Sequence, residues 1–499
     1  MAFIAFLYYD SIEKMQHVYQ NREHNRIMPA LCSGLVGWSK LLSLFLHYYC
    51  SFCLFLARLR QYYSVYVTAT APCTERHRNQ DLLHNSQQDI VNMRQNKTLY
   101  SCTSTILSTV LLVLCMCMSS VHGANSVVDL ATFNSSSLGY KLLGENGYDS
   151  SMSSVVSVGD VNADGIDDFA SGAPKGDPFG RTDAGIVHVI FGQAGLVTSA
   201  VDLLTYSSGS AGFRIFGGAA GDNCGWSISS AGDVNQDGID DLILGCMLAD
   251  LVSRIDAGIV YVFFGHDMST AFTDLDLASF TSGVMGFKIL GGTGGDIVGR
   301  SVSGAGDFNG DGIDDVIVGA YLASPFSRTN AGAAYIVYGH TTATNFTDID
   351  LSTLTGGATA QGMCIAGAVI YDFCGFGVSG AGDVNNDGIK DVIVGCNLAD
   401  PLSRSMAGTV YIIYGKSTGL TNIDLVSFAS SGYGGRVLQG AVAGDQFGMS
   451  MSAAGDVNGD GIKDVVIGAY GGDPSGRSDA GITYVLFGAS SSTIVTTDM

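Results

Sequence analysis

Residues 160–168 read Asp160-Val161-Asn162-Ala163-Asp164-Gly165-Ile166-Asp167-Asp168, and the pattern Asp-x-Asn-x-Asp-Gly-Ile-x-Asp returns at Asp233, Asp307, Asp383 and Asp456. The spacings are 73, 74, 76 and 73 residues. One such loop is a weak motif, but five in register set an architecture. Positions 1, 3, 5 and 9 carry hard oxygen donors, the Gly at position 6 permits a sharp turn, and position 7 offers a backbone carbonyl. That is a calcium ligand set. The expected ligands are Asp160, Asn162, Asp164, Ile166 and Asp168; Asp233, Asn235, Asp237, Ile239 and Asp241; Asp307, Asn309, Asp311, Ile313 and Asp315; Asp383, Asn385, Asp387, Ile389 and Asp391; and Asp456, Asn458, Asp460, Ile462 and Asp464. The isoleucines would contribute only their carbonyls. A polar, metal-free hairpin turn is the alternative. Position 12 holds Ser171, Leu244, Val318, Val394 and Ile467, so no EF-hand can be completed.

Aligned on the first loop Asp, a Gly always stands 32 residues later, at Gly192, Gly265, Gly339, Gly415 and Gly488. Short β-branched and aromatic runs bounded by Gly, Asp, Ser and Asn read as strands. Each unit holds four: a lead-in strand such as Phe213–Phe216, a strand into the loop, a strand out of it, and a final strand such as Ile259–Phe264. A Val/Ile-Asp-Leu connector joins units, as at Val201-Asp202-Leu203. The fold expected is all-β: a β-propeller of about five four-stranded blades with calcium-binding hairpin loops. The units span about 127–192, 200–265, 274–339, 348–415 and 422–488, within a propeller of residues 124–489, and 490–499 form a tail.

Phe447-Gly448 before the last loop, Gly468-Ala469 after it, and Gly172-Ala173-Pro174 in the first unit resemble the FG-GAP repeat of integrin α-subunit propellers. The resemblance covers roughly three quarters of the chain. It implies a propeller with calcium in hairpin loops on one face. The integrin propeller has seven blades and this chain shows five repeats, so a five-bladed ring and a fragment of a larger surface protein both stay open.

Nine residues before the loop Asp stand Ser151, Cys224, Val298, Cys374 and Phe447; thirteen after it stand Ala173, Cys246, Ala320, Cys396 and Ala469. Cysteine fills both positions or neither, which predicts disulfides Cys224–Cys246 and Cys374–Cys396, leaves Cys364 over, and points to an oxidising compartment. Met93–Lys97 and the apolar run Ile106–Met118, with Val121-His122-Gly123 before Ala124, read as a signal peptide over 93–123. Residues 1–92 would then precede the true start at Met93. The rival reading keeps them as a membrane-associated segment, with the apolar run Leu41–Ala57 and a signal anchor at 104–118. Asn134 and Asn345 are glycan acceptors. A secreted or cell-surface protein is expected.

Residues 125–499 hold 14 Lys and Arg against 40 Asp and Glu, a net charge of −26. That excludes nucleic acid, whose phosphates demand cations. An arginine stands 21 residues after each loop Asp, at Arg181, Arg254, Arg328, Arg404 and Arg477, with Asp177, Asp250, Ser324, Asp400 and Asp473 four residues earlier. Two readings follow: a charge pair inside each loop, or a ring of arginines binding an acidic glycan or carboxylate. A further constant residue, Asp149, Asp222, Asp296, Asp372 and Asp445, suits a turn cap.

Catalytic motifs for zinc hydrolysis, serine nucleophiles or phosphate loops are absent from the sequence, and His188, His266 and His340 occupy different offsets. Trp226 reads as packing. The expectation is no enzyme, about five calcium ions, and an adhesion or recognition module for an extracellular protein or glycan. Membrane anchoring through the N-terminal apolar segments stays open. The second class is a non-catalytic accessory propeller, since FG-GAP propellers also resemble the C-terminal part of the glycosylphosphatidylinositol-specific phospholipase D family.

Overall fold

The computed structural model of the chain describes residues 139–195, 199–341, 346–355, 358–490 and 495–499, all within the compact unit Val128–Met499. The signal segment, residues 1–92, Asn134 and Asn345 lie outside the described residues. No helix among the described residues is long and apolar enough to cross a membrane.

The described chain is built of short strands and short 3-10 segments. Blade one contains Ser154–Gly159, Asp168–Ala173, Ile186–Ile190 and Gly212–Phe216, antiparallel in that order. Blade two contains Cys224–Gly232, Asp241–Cys246, Ile259–Phe263 and Gly286–Leu290. Blade three contains Val302–Gly306, Asp315–Ala320, Ala333–Val337 and Gly362–Ala366. Blade four contains Cys374–Gly382, Asp391–Cys396, Thr409–Ile413 and Gly435–Gln439. Blade five shows three strands, Phe447–Gly455, Asp464–Ala469 and Ile482–Leu486. The fold is the expected all-β propeller.

The hydrogen-bonded blade is offset by one strand from the sequence unit. The lead-in strand of each unit pairs with the blade before it: Ile215 lies opposite Val187, and Ile289 opposite Val260. Each Val/Ile-Asp-Leu connector then adds a short parallel strand outside that one, as Ile349–Asp350 does on Gly286–Leu290. Val495–Asp498, in the segment read as a tail, holds the same place on Gly435–Gln439. Among the described residues Leu142–Leu143 pairs with the connector Val201–Asp202 alone.

The core lies between the blades. Val260, Val262 and Ile289 of blade two meet Val316, Val318 and Tyr335 of blade three, all buried. A strand covered on both faces needs no polar alternation, and Ala333–Val337 is buried at all five positions. At roughly 1.5–3 kcal/mol for a buried Val or Ile side chain, these contacts, rather than strand propensity, stabilise the array.

Candidate functional site

The five motif loops are the hairpins between the first and second strands of each blade, so antiparallel topology gathers them on one face. The first loop is closed by its own side chains. Asp160 accepts from the amides of Asp164 and Gly165 at 3.1 and 2.7 Å, Asn162 accepts from Asp164 at 2.9 Å, and Asp164 accepts from Ile166 at 2.9 Å. The other loops repeat this pattern. Gly165 sits at φ 86°, which a side chain rarely tolerates.

Position 9 is the anchor. Asp168 is buried; its two oxygens accept from the amides of Val161 at 3.1 Å and Gly192 at 2.7 Å. Asp241, Asp315, Asp391 and Asp464 do the same with Gly265, Gly339, Gly415 and Gly488. The residue at offset 32 is always Gly because a Cβ there would run into the position-8 carbonyl and the position-7 isoleucine of the loop. Burial pushes the Asp168 carboxyl up to about 6, Asp391 to about 7, and Asp241 and Asp315 to about 8, with neighbouring loop carboxylates adding to the rise.

Among the described residues, no three Asp, Glu, His or Cys side chains are gathered tightly enough to hold an ion. The donor set of each loop relies also on an Asn oxygen and a main-chain carbonyl. Carboxylates buried beside other carboxylates suit a hard divalent cation, which would keep them ionised. The residues fit calcium on chemistry.

The loops between second and third strands lie at the opposite end of the blades. Here Phe179, Phe326 and Leu402 take φ of 55°, 52° and 52°, yet are 71%, 67% and 66% exposed. A bulky residue at positive φ is an outlier that commonly marks a constrained functional site. Val252 of blade two is also exposed beside them in the repeat register, and Ser475 holds the equivalent place at φ 56° in blade five.

The arginines of these loops do not pair with the acid four residues earlier. That acid accepts a main-chain amide instead, as Asp177 does from Asp183 at 2.8 Å and Asp250 from Asp256 at 2.8 Å. Four of the arginines reach an Asp about ninety-five residues on, in a connector or, for Arg404, in the strand that takes the connector's place: Arg181 to Asp276 at 2.8 Å, Arg254 to Asp350 at 2.7 Å, Arg328 to Asp424 at 2.9 Å, and Arg404 to Asp498. Arg181, Arg254 and Arg404 also donate to the carbonyls of Gly218, Gly291 and Ala441 in the turns ahead of the next blade. These arginines are clasps between segments, not a ring of free cations. Among the described residues Arg477 has no carboxylate partner and donates to the Pro474 carbonyl. The third constant acid caps a turn: Asp222 accepts from Ala219 and Asp296 from Thr293, each at 2.9 Å.

Cys224–Cys246 and Cys374–Cys396 are disulfides joining the first two strands of blades two and four. Cys364 is free and buried, and burial raises its thiol to about 12, so it is unreactive. The histidines stay apart: His188 is buried 3.4 Å from Glu145, while His266 and His340 stack on Phe272 and Phe346. Sequence reading missed the connector clasps and the exposed apolar residues; the repeated Asp of Val/Ile-Asp-Leu was the available signal for the clasps.

The FG-GAP repeat family matches residues 153–190, 225–263, 298–337 and 447–486. Each match runs from the first strand of a blade to its third. Integrin alpha pat-2 of Caenorhabditis elegans is 32% identical over 257 residues, 50% of this chain and 18% of that protein. Phosphatidylinositol-glycan-specific phospholipase D of Bos taurus is 30% identical over 196 residues, 39% of this chain and 21% of that protein. Integrin alpha-V of Gallus gallus is 28% identical over 255 residues, 50% of this chain and 20% of that protein. The chain thus spans about a fifth of the length of these relatives. Four family matches on blades of this geometry, with integrin α relatives over half the chain, make it an FG-GAP repeat protein whose β-propeller resembles that of the integrin α-subunits.

Proposed function

We propose that the chain is a non-enzymatic recognition module of the extracellular space: a calcium-braced propeller that presents one loop face to a protein or glycan partner. The observation that carries this reading is the display of Phe179, Phe326 and Leu402, exposed and held at positive φ, on the face opposite the motif loops. The recurrence of an exposed apolar side chain at one repeat position in three blades is what assigns this face to recognition. The two disulfides support an oxidising compartment.

Positions 1, 3, 5, 7 and 9 of each loop would hold calcium, which neutralises the clustered carboxylates and fixes the hairpin. With extracellular-type affinities of about 10⁻⁴–10⁻³ M and roughly 2 mM calcium, each site adds roughly 0.6–2 kcal/mol. Calorimetry should count close to five ions. Removing them with chelator should lower Tm by roughly 5–15 °C. An unchanged melt and no heat of binding would reduce the loops to polar turns.

Recognition is tested by cell attachment to surfaces coated with the protein, in calcium and in chelator. The variant Phe179→Ser/Phe326→Ser/Leu402→Ser should keep its circular dichroism spectrum and lose attachment. Equal attachment by the variant would overturn the assignment of this face. The match to the phospholipase D relatives keeps a second reading, an accessory propeller of a secreted enzyme. Copurification of the chain with a glycosylphosphatidylinositol-hydrolysing activity that the chain alone lacks would favour it.

A further inference from the structure

Position 8 of the motif is Asp167, Asp240 and Asp314 in the first three loops, and Lys390 and Lys463 in the last two. The structure places this residue at the junction between consecutive loops. Asp240 accepts the amide hydrogen of Asp160, position 1 of the loop before it, at 2.9 Å; Asp314 does the same for Asp233 at 3.1 Å. Gly159 and Gly232 make this approach possible, because a side chain on either would collide with the incoming carboxylate. In the later blades the link is inverted. The amide of Lys390 donates to the Asp307 carbonyl at 3.0 Å, that of Lys463 to the Asp383 carbonyl at 3.4 Å, and the lysine stems lie against Gly306 and Gly382.

A junction residue that reaches the preceding loop therefore bears on two loops. Asp314 interacts with Asp233 of the preceding loop and Asp307 of its own, and Lys463 with Asp456 of its own. Loop one thus has two neighbouring carboxylates, Asp167 and Asp240, and loop two has Asp240 and Asp314. Loop three has one of each sign, Asp314 and Lys390. Loop four has two lysines, Lys390 and Lys463, and loop five has Lys463. The five ligand sets are identical in residue type, so the junction residue is the systematic difference in charge between them.

We infer that position 8 grades the five loops in their affinity for a divalent cation, with loops one and two tightest, loop three intermediate, and loops four and five weakest. This rests on the calcium reading above. A carboxylate beside a cation site strengthens it and an ammonium weakens it; the lysines and Asp240 are at least partly exposed to solvent, so screening keeps each effect modest. Each charge reversal should change the affinity of its two loops by roughly 3–10-fold.

Calcium titration of the full chain by calorimetry at low and at high salt tests this. Two tight ions followed by weaker ones, with the spread narrowing in high salt, is the expected result. In Lys390→Asp/Lys463→Asp the weak sites should tighten toward the strong ones; Gly306 and Gly382 leave the new carboxylates the room that Gly159 and Gly232 give Asp240 and Asp314. Asp240→Asn/Asp314→Asn keeps an acceptor at each junction and should weaken loops one, two and three while leaving loops four and five unmoved. Its thermal melt in chelator should match the parent, which separates charge from folding. Five equal sites, or affinities unmoved by these variants, would overturn the grading and leave the calcium reading intact. No binding at any site would overturn both.

Discussion

Blades three and five carry the same loop motif, the same arginine and the same first three strands, yet only one of them is enclosed. In blade three, Ala333–Val337 is buried at every position, Phe308 at loop position 2 is buried, and Arg328 is clasped to Asp424. In blade five, Ile482–Leu486 has no fully buried residue, Val457 at the matching loop position is 54% exposed, and Arg477 has no carboxylate among the described residues. Blade three packs against a blade on each side, whereas blade five packs against one among the described residues. The repeat encodes a blade, and burial belongs to the interface between blades. This is the nearest-neighbour logic of repeat proteins applied around an axis.

The sharpest way to break this comparison is at loop position 2. Phe308 is fully buried and faces Tyr433 with ring centroids 6.4 Å apart. Phe308→Ala should cost about 3–5 kcal/mol by urea unfolding, the cost of removing a core aromatic. Val457→Ala should stay within about 0.5 kcal/mol. Similar losses at both sites would mean that blade five is enclosed in solution. The clasps offer a second, smaller contrast. Arg328→Ala removes a half-buried ion pair and should cost about 1–2 kcal/mol, against near zero for Arg477→Ala. A large effect at Arg477 would reveal a partner for it.

What could be read from sequence follows how far each contact reaches along the chain. The loop closes on itself within nine residues, and each disulfide spans 22, so period, strand count and cysteine pairing were legible. The phase of the blade was not. Phe213–Phe216 has the same apolar pattern whether it opens one blade or closes the one before, and only the pairing of Ile215 with Val187 decides. The arginine partner lies 95 residues from Arg181, and the junction between Asp160 and Asp240 spans 80. An internal repeat pattern describes contacts within a unit and is silent on which neighbour supplies the rest. The apolar residues of the far face were hidden for another reason: nothing in the residue type of Phe179, Phe326 or Leu402 distinguishes an exposed apolar side chain from a core one, and only the fold places them outside.

The smallest contrast is in acid. Asp350 is held down at about 2 by its hydrogen bonds from Arg254, with the Ser352 hydroxyl and amide assisting, whereas an unfolded Asp titrates near 3.8. The folded protein therefore binds fewer protons than the unfolded chain between those values. The clasp stabilises fully above about pH 4, and its contribution fades as pH falls toward 2. The full shift corresponds to roughly 2–3 kcal/mol at 1.36 kcal/mol per unit. The Asp350 side chain is a third exposed, so solvent screening reduces this to about 1 kcal/mol. The Asp350→Asn variant should melt below the parent at pH 5, and the gap should narrow by pH 3. The buried position-9 carboxylates, whose raised values act in the opposite direction, are common to both proteins and cancel in the difference. A gap that is constant from pH 5 to pH 3 would mean that the Asp350 carboxylate contributes its shape and not its charge, and the clasps would then be hydrogen-bonded spacers between blades.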